Sequence, residues 1–359
     1  MEILHHYSLK DRNTFGMDVS CACFVGYESE EELAGFFSSG KQSGLPKPFL
    51  HIGGGSNLLF TGDFPGTVFH SGIRYIRELP GQDGRVPVVV GAGTLWDDVC
   101  KWCAEKGLWG PENLSGIPGE AGAAAVQNIG AYGVEFQDIV REIRCLDVVT
   151  CSIKTIRKED CRYGYRDSMF KQGAKGRYIV TSVVLEVSRD AGPRLEYGHV
   201  RAAVEKASAD APETGISPLS VRNVILEIRN SKLPDPAVIG NAGSFFKNPV
   251  VPRSVYAKVE NYALSKYGPD YNMPHFDAGS GFVKIPAAWL IENCGWKGYR
   301  AGNVGVYERQ PLVLVNLTGK ASPEEIIALE KKITASVSDI FGIVLEPEVE
   351  HIGPEKQIL

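Results

Sequence analysis

Three glycine-rich loops crowd the first 133 residues and constrain the fold more than any other feature of the chain. The first is Gly53-Gly54-Gly55-Ser56-Asn57, set between two apolar runs. The second is Gly91-Ala92-Gly93, directly after "VPVVV". The third is "SGIPGEAGAAAVQNIGAYG", Ser115 to Gly133. Ordering a glycine costs more backbone entropy than ordering any other residue. Each loop therefore needs a bare backbone, for a tight turn or for a ligand pressed against the main chain. Such loops let N–H groups converge on phosphate oxygens, and Ser56 and Asn57 add side-chain donors for the same anion. A turn explains one loop; three together point to an extended pyrophosphate ligand. Two familiar phosphate folds are excluded. No G-x-x-x-x-G-K-[ST] occurs, so there is no P-loop. Trp96 stands where a dinucleotide fingerprint starting at Gly91 requires its third glycine, which argues against a Rossmann domain.

Strand and helix signals mix throughout. Ser29 to Glu32 reads as a capping box opening a helix with Leu33, Phe36 and Phe37 on its apolar side. The run into Gly91 is a buried strand, and Thr94 caps a helix carrying Leu95, Val99 and Trp102 that stops at Gly107. Tyr178 to Val187 is a further strand. Arg201 to Pro218 is polar and Ala-rich and receives no element; "VRNVILEIRNSK" after it has helical spacing. Leu233-Pro-Asp-Pro236 is the best domain boundary. The last third holds a helix over Pro286 to Asn293, a strand over Pro311 to Asn316 and a long helix after Ser322. That helix carries the stripe Ile326, Leu329, Ile333, Val337 and Ile340 and ends at Gly342.

Composition narrows the functional classes. A chain of 359 residues, 43% hydrophobic, supports two or three globular domains. A net charge of −5 does not suit general nucleic-acid binding. No apolar stretch is long enough for a membrane helix, and the N-terminus lacks a signal-peptide pattern. Eight scattered cysteines suit a reducing cytoplasm rather than a disulfide scaffold. Cys100 and Cys103 have redox or metal spacing, but no second pair or nearby histidine accompanies them. No metal site is expected.

Taken in order, "GGGSNLLF", "GIPGEAGAAAVQNIGAYG", "YRDSMFK", "KLPDP", "NAGSFFKNP" and "LEPEVEHIG" resemble the UDP-N-acetylenolpyruvoylglucosamine reductases, bacterial FAD enzymes of peptidoglycan synthesis. The resemblance runs from about Asn13 to Gly353. It implies an α+β fold, with a two-domain FAD-binding part of vanillyl-alcohol-oxidase type and a third α/β substrate-binding domain. The corresponding spans are 1–70, to which 350–359 return, then 71–231 and 232–349. Gly53, Gly54, Gly55, Ser56 and Asn57 become the pyrophosphate cradle of non-covalently bound FAD. Gly116, Ile117, Pro118, Gly119, Gln127, Asn128 and Ile129 continue the cofactor wall. "LEYGHV" resembles the subgroup whose extra loop lays a tyrosine, here Tyr197, over the substrate diphosphate. "GVYERQ", Gly305 to Gln310, departs from the histidine-bearing version and receives no role.

The implied reaction passes reducing equivalents from NADPH through FAD to C3 of an enolpyruvyl ether, with negative charge building on C2 and the carboxylate. Such a site needs a cation beside the carboxylate and a proton source near C2. By resemblance these are Arg166 and Ser244, with Glu348 as the third catalytic group. Lys232, Asn248 and Asn293 match substrate contacts. From the residues alone, Arg166 reads as a surface ion pair with Asp160 or Asp167, and Ser244 as a turn. The expected partners are NADPH and UDP-N-acetylglucosamine enolpyruvate, acting on a monomer. The alternative is an FAD-dependent sugar or alcohol oxidase or dehydrogenase of the same superfamily. Such enzymes often tether flavin through a histidine or cysteine, and His51 precedes the triplet on a run expected to face the core.

Overall fold

A computed structural model describes residues 1–210 and 215–353. Glu2–Ser8 and Ser20–Tyr27 form an antiparallel pair, to which Phe64–Ser71 and then Phe49–Ile52 add in parallel. Parallel strands need a crossover; helix α1, Glu30–Ser38, lies on the one from Ser20–Tyr27 to Phe49–Ile52. Its Leu33, Phe36 and Phe37 are buried, both phenylalanines against Phe69. Ser29 caps α1 by accepting from the Glu32 N–H, but the Glu32 carboxylate reaches the N–H of Glu28 rather than that of Ser29.

The second sheet is antiparallel, in the order Ser152–Arg157, Val140–Asp147, Tyr178–Ser188, Arg85–Gly91, Ile76–Glu78. Helices α2, Trp96–Glu105, and α3, Ala121–Gln127, bury residues in the apolar cluster it shares. Of the expected face of α2, Val99 is fully buried and Trp102 packs against that cluster, whereas Leu95 is corrected. Thr94 Oγ1 is engaged with the main chain of Tyr75, so the helix starts after Leu95. One residue turns a helix by about 100°. Leu95 is consequently 51% exposed, while Trp96, Cys100 and Cys103 lie inside. Burial pushes the Cys103 thiol up to about 12 and raises that of Cys100 as well, which suits packing rather than redox or metal chemistry.

The Ala-rich stretch contains α4, Val200–Asp210, which is followed by α5, Pro218–Lys232. Only Val200 and Val204 of α4 are buried, in a small cluster with Trp109 and α5; so thin a stripe gives little periodicity to read. Beyond Pro236 come two small antiparallel sheets and helices α6, Arg253–Tyr267, α7, Ala287–Asn293, and α8, Pro323–Phe341. Helix α6 follows Pro252 without a side-chain cap, so the usual start signal is missing. The strand expected from Pro311 is confined to Leu314–Asn316. One apolar cluster joins Leu9, Phe15, Ile52 and Phe60 near the N-terminus to Phe245, Phe246, Ile326 and Ile352. The last described strand, Glu350–Ile352, pairs in parallel with Leu58–Phe60; residues 354–359 lie outside the described residues.

Ser322 and Glu325 close a reciprocal capping box on α8, and Gly342 ends the helix with φ +68°. Its buried stripe ends on Phe341, not on Ile340, which is 46% exposed. Phe341 lies four residues after Val337 and so continues the face. Ile333→Ala should cost about 2–5 kcal/mol, seen as a clear fall in melting temperature. Ile340→Ala should stay within about 0.5 kcal/mol of wild type. Equal losses would return Ile340 to the stripe.

Candidate active site

The strand Phe49–Ile52 runs directly into the glycine triplet, and the chain resumes as the strand Leu58–Phe60. Gly55 has φ +63°, and a Cβ there would strike the carbonyl of Arg12. A Cβ on Gly54 would lie 3.4 Å from Cα of Gly119, so the first and third loops pack backbone to backbone. The N–H groups of Gly54, Gly55, Ser56 and Asn57 donate to no described residue. Four consecutive free donors on a turn make an anion-binding concavity, and this fits the pyrophosphate of FAD.

Two expectations about the loops are corrected. Ser56 donates its hydroxyl to the Pro118 carbonyl at 3.0 Å, and Asn57 donates its side-chain amide to the Glu348 carbonyl at 3.2 Å. The Ser56 hydroxyl proton and one amide hydrogen of Asn57 are thus engaged, leaving for an anion the second Asn57 amide hydrogen and the backbone N–H of both residues. The second loop offers no backbone donor at all. Gly91, Ala92 and Gly93 donate to the carbonyls of Tyr75, Thr181 and Ile73. Its glycines are required because a Cβ on Gly91 or Gly93 would strike the carbonyl of Ile73 or Ser71. Only Ala92 of this loop borders the cleft.

The cleft has two halves that meet at Ser56, Asn57 and Gln127. His51, Gly53, Gly55, Ala123, Lys171 and Tyr178 are among the residues lining the first. Tyr165, Arg166, Arg229, Ser244, Asn248 and Glu348 are among those lining the second. His51 thus borders the cleft instead of facing the core, with Nε2 bonded to the Tyr27 hydroxyl at 2.7 Å. Burial beside His70 lowers its pKa to about 3.

Arg166 sits in the turn between Gly164 and Asp167 with φ +54°, a conformation that favours glycine. Its Nε donates to Glu348 Oε1 at 2.9 Å, and its Nη2 donates to the Gly130 carbonyl at 2.5 Å. The partner is therefore neither Asp160 nor Asp167; the Asp167 carboxylate is bonded to Gln172. Glu348 is held from two sides. Its N–H donates to the Phe245 carbonyl at 2.8 Å, and its own carbonyl accepts from Asn57. Ser244 precedes Phe245 and Phe246, both essentially inaccessible, which anchor the serine at the cleft edge. The Ser244 hydroxyl bonds to no described residue and is free for a ligand. Glu346 takes a different place: its side chain is 76% exposed, opposite Lys247 at 3.6 Å.

The other expected residues divide. Ile117, Pro118 and Ile129 border the second half of the cleft, and Asn248 borders it while accepting from the N–H of Ala287. Gly54 contributes its N–H to the cradle, while Gly116 and Gly119 do not line either half of the cleft. Gly116 donates its N–H to Asp97, a carboxylate gripped by both terminal nitrogens of Arg222. Asn128 is fully buried and spends its side chain on Glu135, Gly164 and Gln137. It shapes the turn that carries Arg166 and cannot face a cofactor. Lys232 is exposed and outside this lining, and Asn293 lies away from it, bonded to Lys266 and Tyr267. Tyr197 stacks on Phe276 at 6.3 Å and meets Tyr132 edge-on. Sequence reasoning missed Arg229 and Tyr165. Burial lowers the Arg229 pKa and raises that of Tyr165, with Glu348 adding to the latter.

Comparison with known proteins settles the family. Residues 21–156 match the FAD binding domain family, and residues 235–352 match the C-terminal domain of UDP-N-acetylenolpyruvoylglucosamine reductase. The reductase of that name from Bacteroides fragilis strain YCH46 is 45% identical over 346 residues, covering 96% of this chain and 99% of its own. That from Chromobacterium violaceum is 44% identical, covering 95% and 96%. The chain belongs to the UDP-N-acetylenolpyruvoylglucosamine reductase family. A solved UDP-N-acetylenolpyruvylglucosamine reductase from Thermus caldophilus superposes with a TM-score of 0.64 at 23% identity, covering 98% of each chain. The family's α+β fold, with an FAD-binding domain of vanillyl-alcohol-oxidase type, is thus the fold of this chain.

Two glycines of the first loop should respond differently to an added methyl group. Gly55→Ala combines positive φ with a backbone collision and should abolish FAD retention or folding. Gly54→Ala meets only ordinary contact and should keep most of its flavin. The flavin absorbance per protein of each purified variant reads this, and equal retention would contradict the account of Gly55.

Proposed function

We propose that this chain catalyses the NADPH-dependent, FAD-mediated reduction of UDP-N-acetylglucosamine enolpyruvate to UDP-N-acetylmuramate. The observation that carries this reading is the Arg166–Glu348 ion pair, at 2.9 Å, in the same half-cleft as the unbonded Ser244. The anion cradle adjoins that half at Ser56 and Asn57. FAD, when bound, supplies the route for electrons from NADPH to the enolpyruvyl double bond.

The residues of the chain supply binding, charge and a proton. Arg166 presents a planar guanidinium, which suits the carboxylate on which charge builds. Glu348 fixes the plane of that guanidinium and offsets its charge. Ser244 gives its hydroxyl proton to C2. Asn248 and Arg229 border the same space, and Arg229 forms no ion pair with a described carboxylate. A half-buried guanidinium of this kind suits a phosphate or carboxylate of a ligand.

Ser244→Ala should separate the half-reactions. NADPH should bleach the flavin at the wild-type rate, while reoxidation by the enolpyruvyl substrate slows by ~10²–10⁴-fold. Equal slowing of both would give Ser244 a role in holding the fold or flavin.

A second comparison separates the two acids. Glu348→Gln should slow reoxidation severely with flavin binding retained. Glu346→Gln, altering a largely exposed side chain, should remain close to wild type. Stopped-flow reoxidation of both decides, and the reverse ranking would move the catalytic carboxylate to Glu346.

A further inference from the structure

Lys171 closes the "YRDSMFK" stretch and has no part in the chemistry above. Its ammonium lies between two groups of the cleft, donating to Gln127 Oε1 at 2.6 Å and to the Arg166 carbonyl at 3.0 Å. An ammonium has donors and no acceptor. It therefore decides which way the Gln127 amide faces: the oxygen must meet Lys171, and the NH₂ must point elsewhere. That NH₂ is buried and has no hydrogen-bond partner among the described residues. A buried donor without a partner is costly and rare in native structures.

The place of Gln127 indicates what completes it. Gln127 ends α3 and borders both halves of the cleft. A pyrophosphate held by the Gly54–Asn57 donors would lie on one side of it, with Ser244, Arg166 and Glu348 on the other. The cofactor's reactive ring has to reach the second group, so the junction at Gln127 is where the ring must pass. We propose that Lys171 is a positioning residue that locks the Gln127 amide with its NH₂ toward an acceptor atom of the flavin ring. The same ammonium pins the main chain of Arg166 in its left-handed conformation, coupling the cofactor wall to the catalytic arginine. This inference rests on the FAD-dependent reading.

The test uses apo-protein reconstituted with FAD, measuring the dissociation constant by flavin fluorescence quenching and the bound flavin's potential by equilibration with a redox dye. Gln127→Glu keeps an oxygen for Lys171 but turns a second acceptor toward the ring. It should weaken FAD binding by about tenfold or more and make the potential more negative. Lys171→Met frees the amide and should shift both quantities in the same direction by less. Lys171→Arg, again a donor-only cation, should restore them. If Lys171 only braces the fold, Lys171→Met lowers the melting temperature and leaves the potential unmoved, which overturns the proposal. Wild-type affinity and potential in Gln127→Glu would overturn it equally, and that variant reads the claim even if Lys171→Met does not fold. A wild-type protein that takes up no FAD would instead sink the functional reading on which the inference stands.

Discussion

The ion pair between Arg166 and Glu348, 182 residues apart in sequence, is the interaction on which the rest of the site depends. Neither side chain is more than 18% exposed. Taking two charges out of water is costly unless the pair has good geometry and further hydrogen bonds. Arg166 gains such a bond from the Gly130 carbonyl. The main chain of Glu348 is gripped by Phe245 and Asn57. Removing either partner would leave a poorly solvated charge beside the space where the reaction is placed.

The glycine loops make this arrangement possible, for more than one reason. Gly55 and Gly54 bring the cradle against Arg12 and Gly119. Gly91 and Gly93 serve only to let the chain pass the carbonyls of Ile73 and Ser71. Asn57 then does two jobs. Its backbone N–H remains free in the cradle, while its side chain ties the cradle to the strand end bearing Glu348. The single apolar cluster shared by the first sheet and the segment after Pro236 keeps that tie in register. The glycine-loop donors, Glu348 and the serine loop are thus fixed relative to one another by a few main-chain contacts.

Much of the fold was legible because its signals are local. The Ser322 capping box, the glycine after α8 and the buried strand before Gly91 need only neighbouring residues to be recognised. Helix α6 lacks a capping signal, and α4 buries too little to show a stripe. The family motifs brought Arg166, Ser244 and Glu348 forward. They did not tell a residue facing the cleft from one supporting it. That the Ser56 hydroxyl and one amide hydrogen of Asn57 also brace the main chain shows only once their acceptors, 62 and 291 residues away, are seen. Asn128 reads as cofactor wall until its three internal partners are in place. Nothing local in the sequence marks Arg229 and Lys171 as half-buried cations lining the cleft.

One spectral series on purified protein tests the central claim most directly. Protein loaded with FAD is reduced with NADPH without oxygen, and the enolpyruvyl substrate is then added. The account predicts flavin absorbance that bleaches with NADPH and returns in proportion to added substrate. It also predicts that acid precipitation releases all the flavin. A protein that binds no FAD, or whose reduced flavin is not reoxidised by this substrate, would contradict it. Colour left on the acid-precipitated protein would contradict non-covalent binding and favour the oxidase alternative.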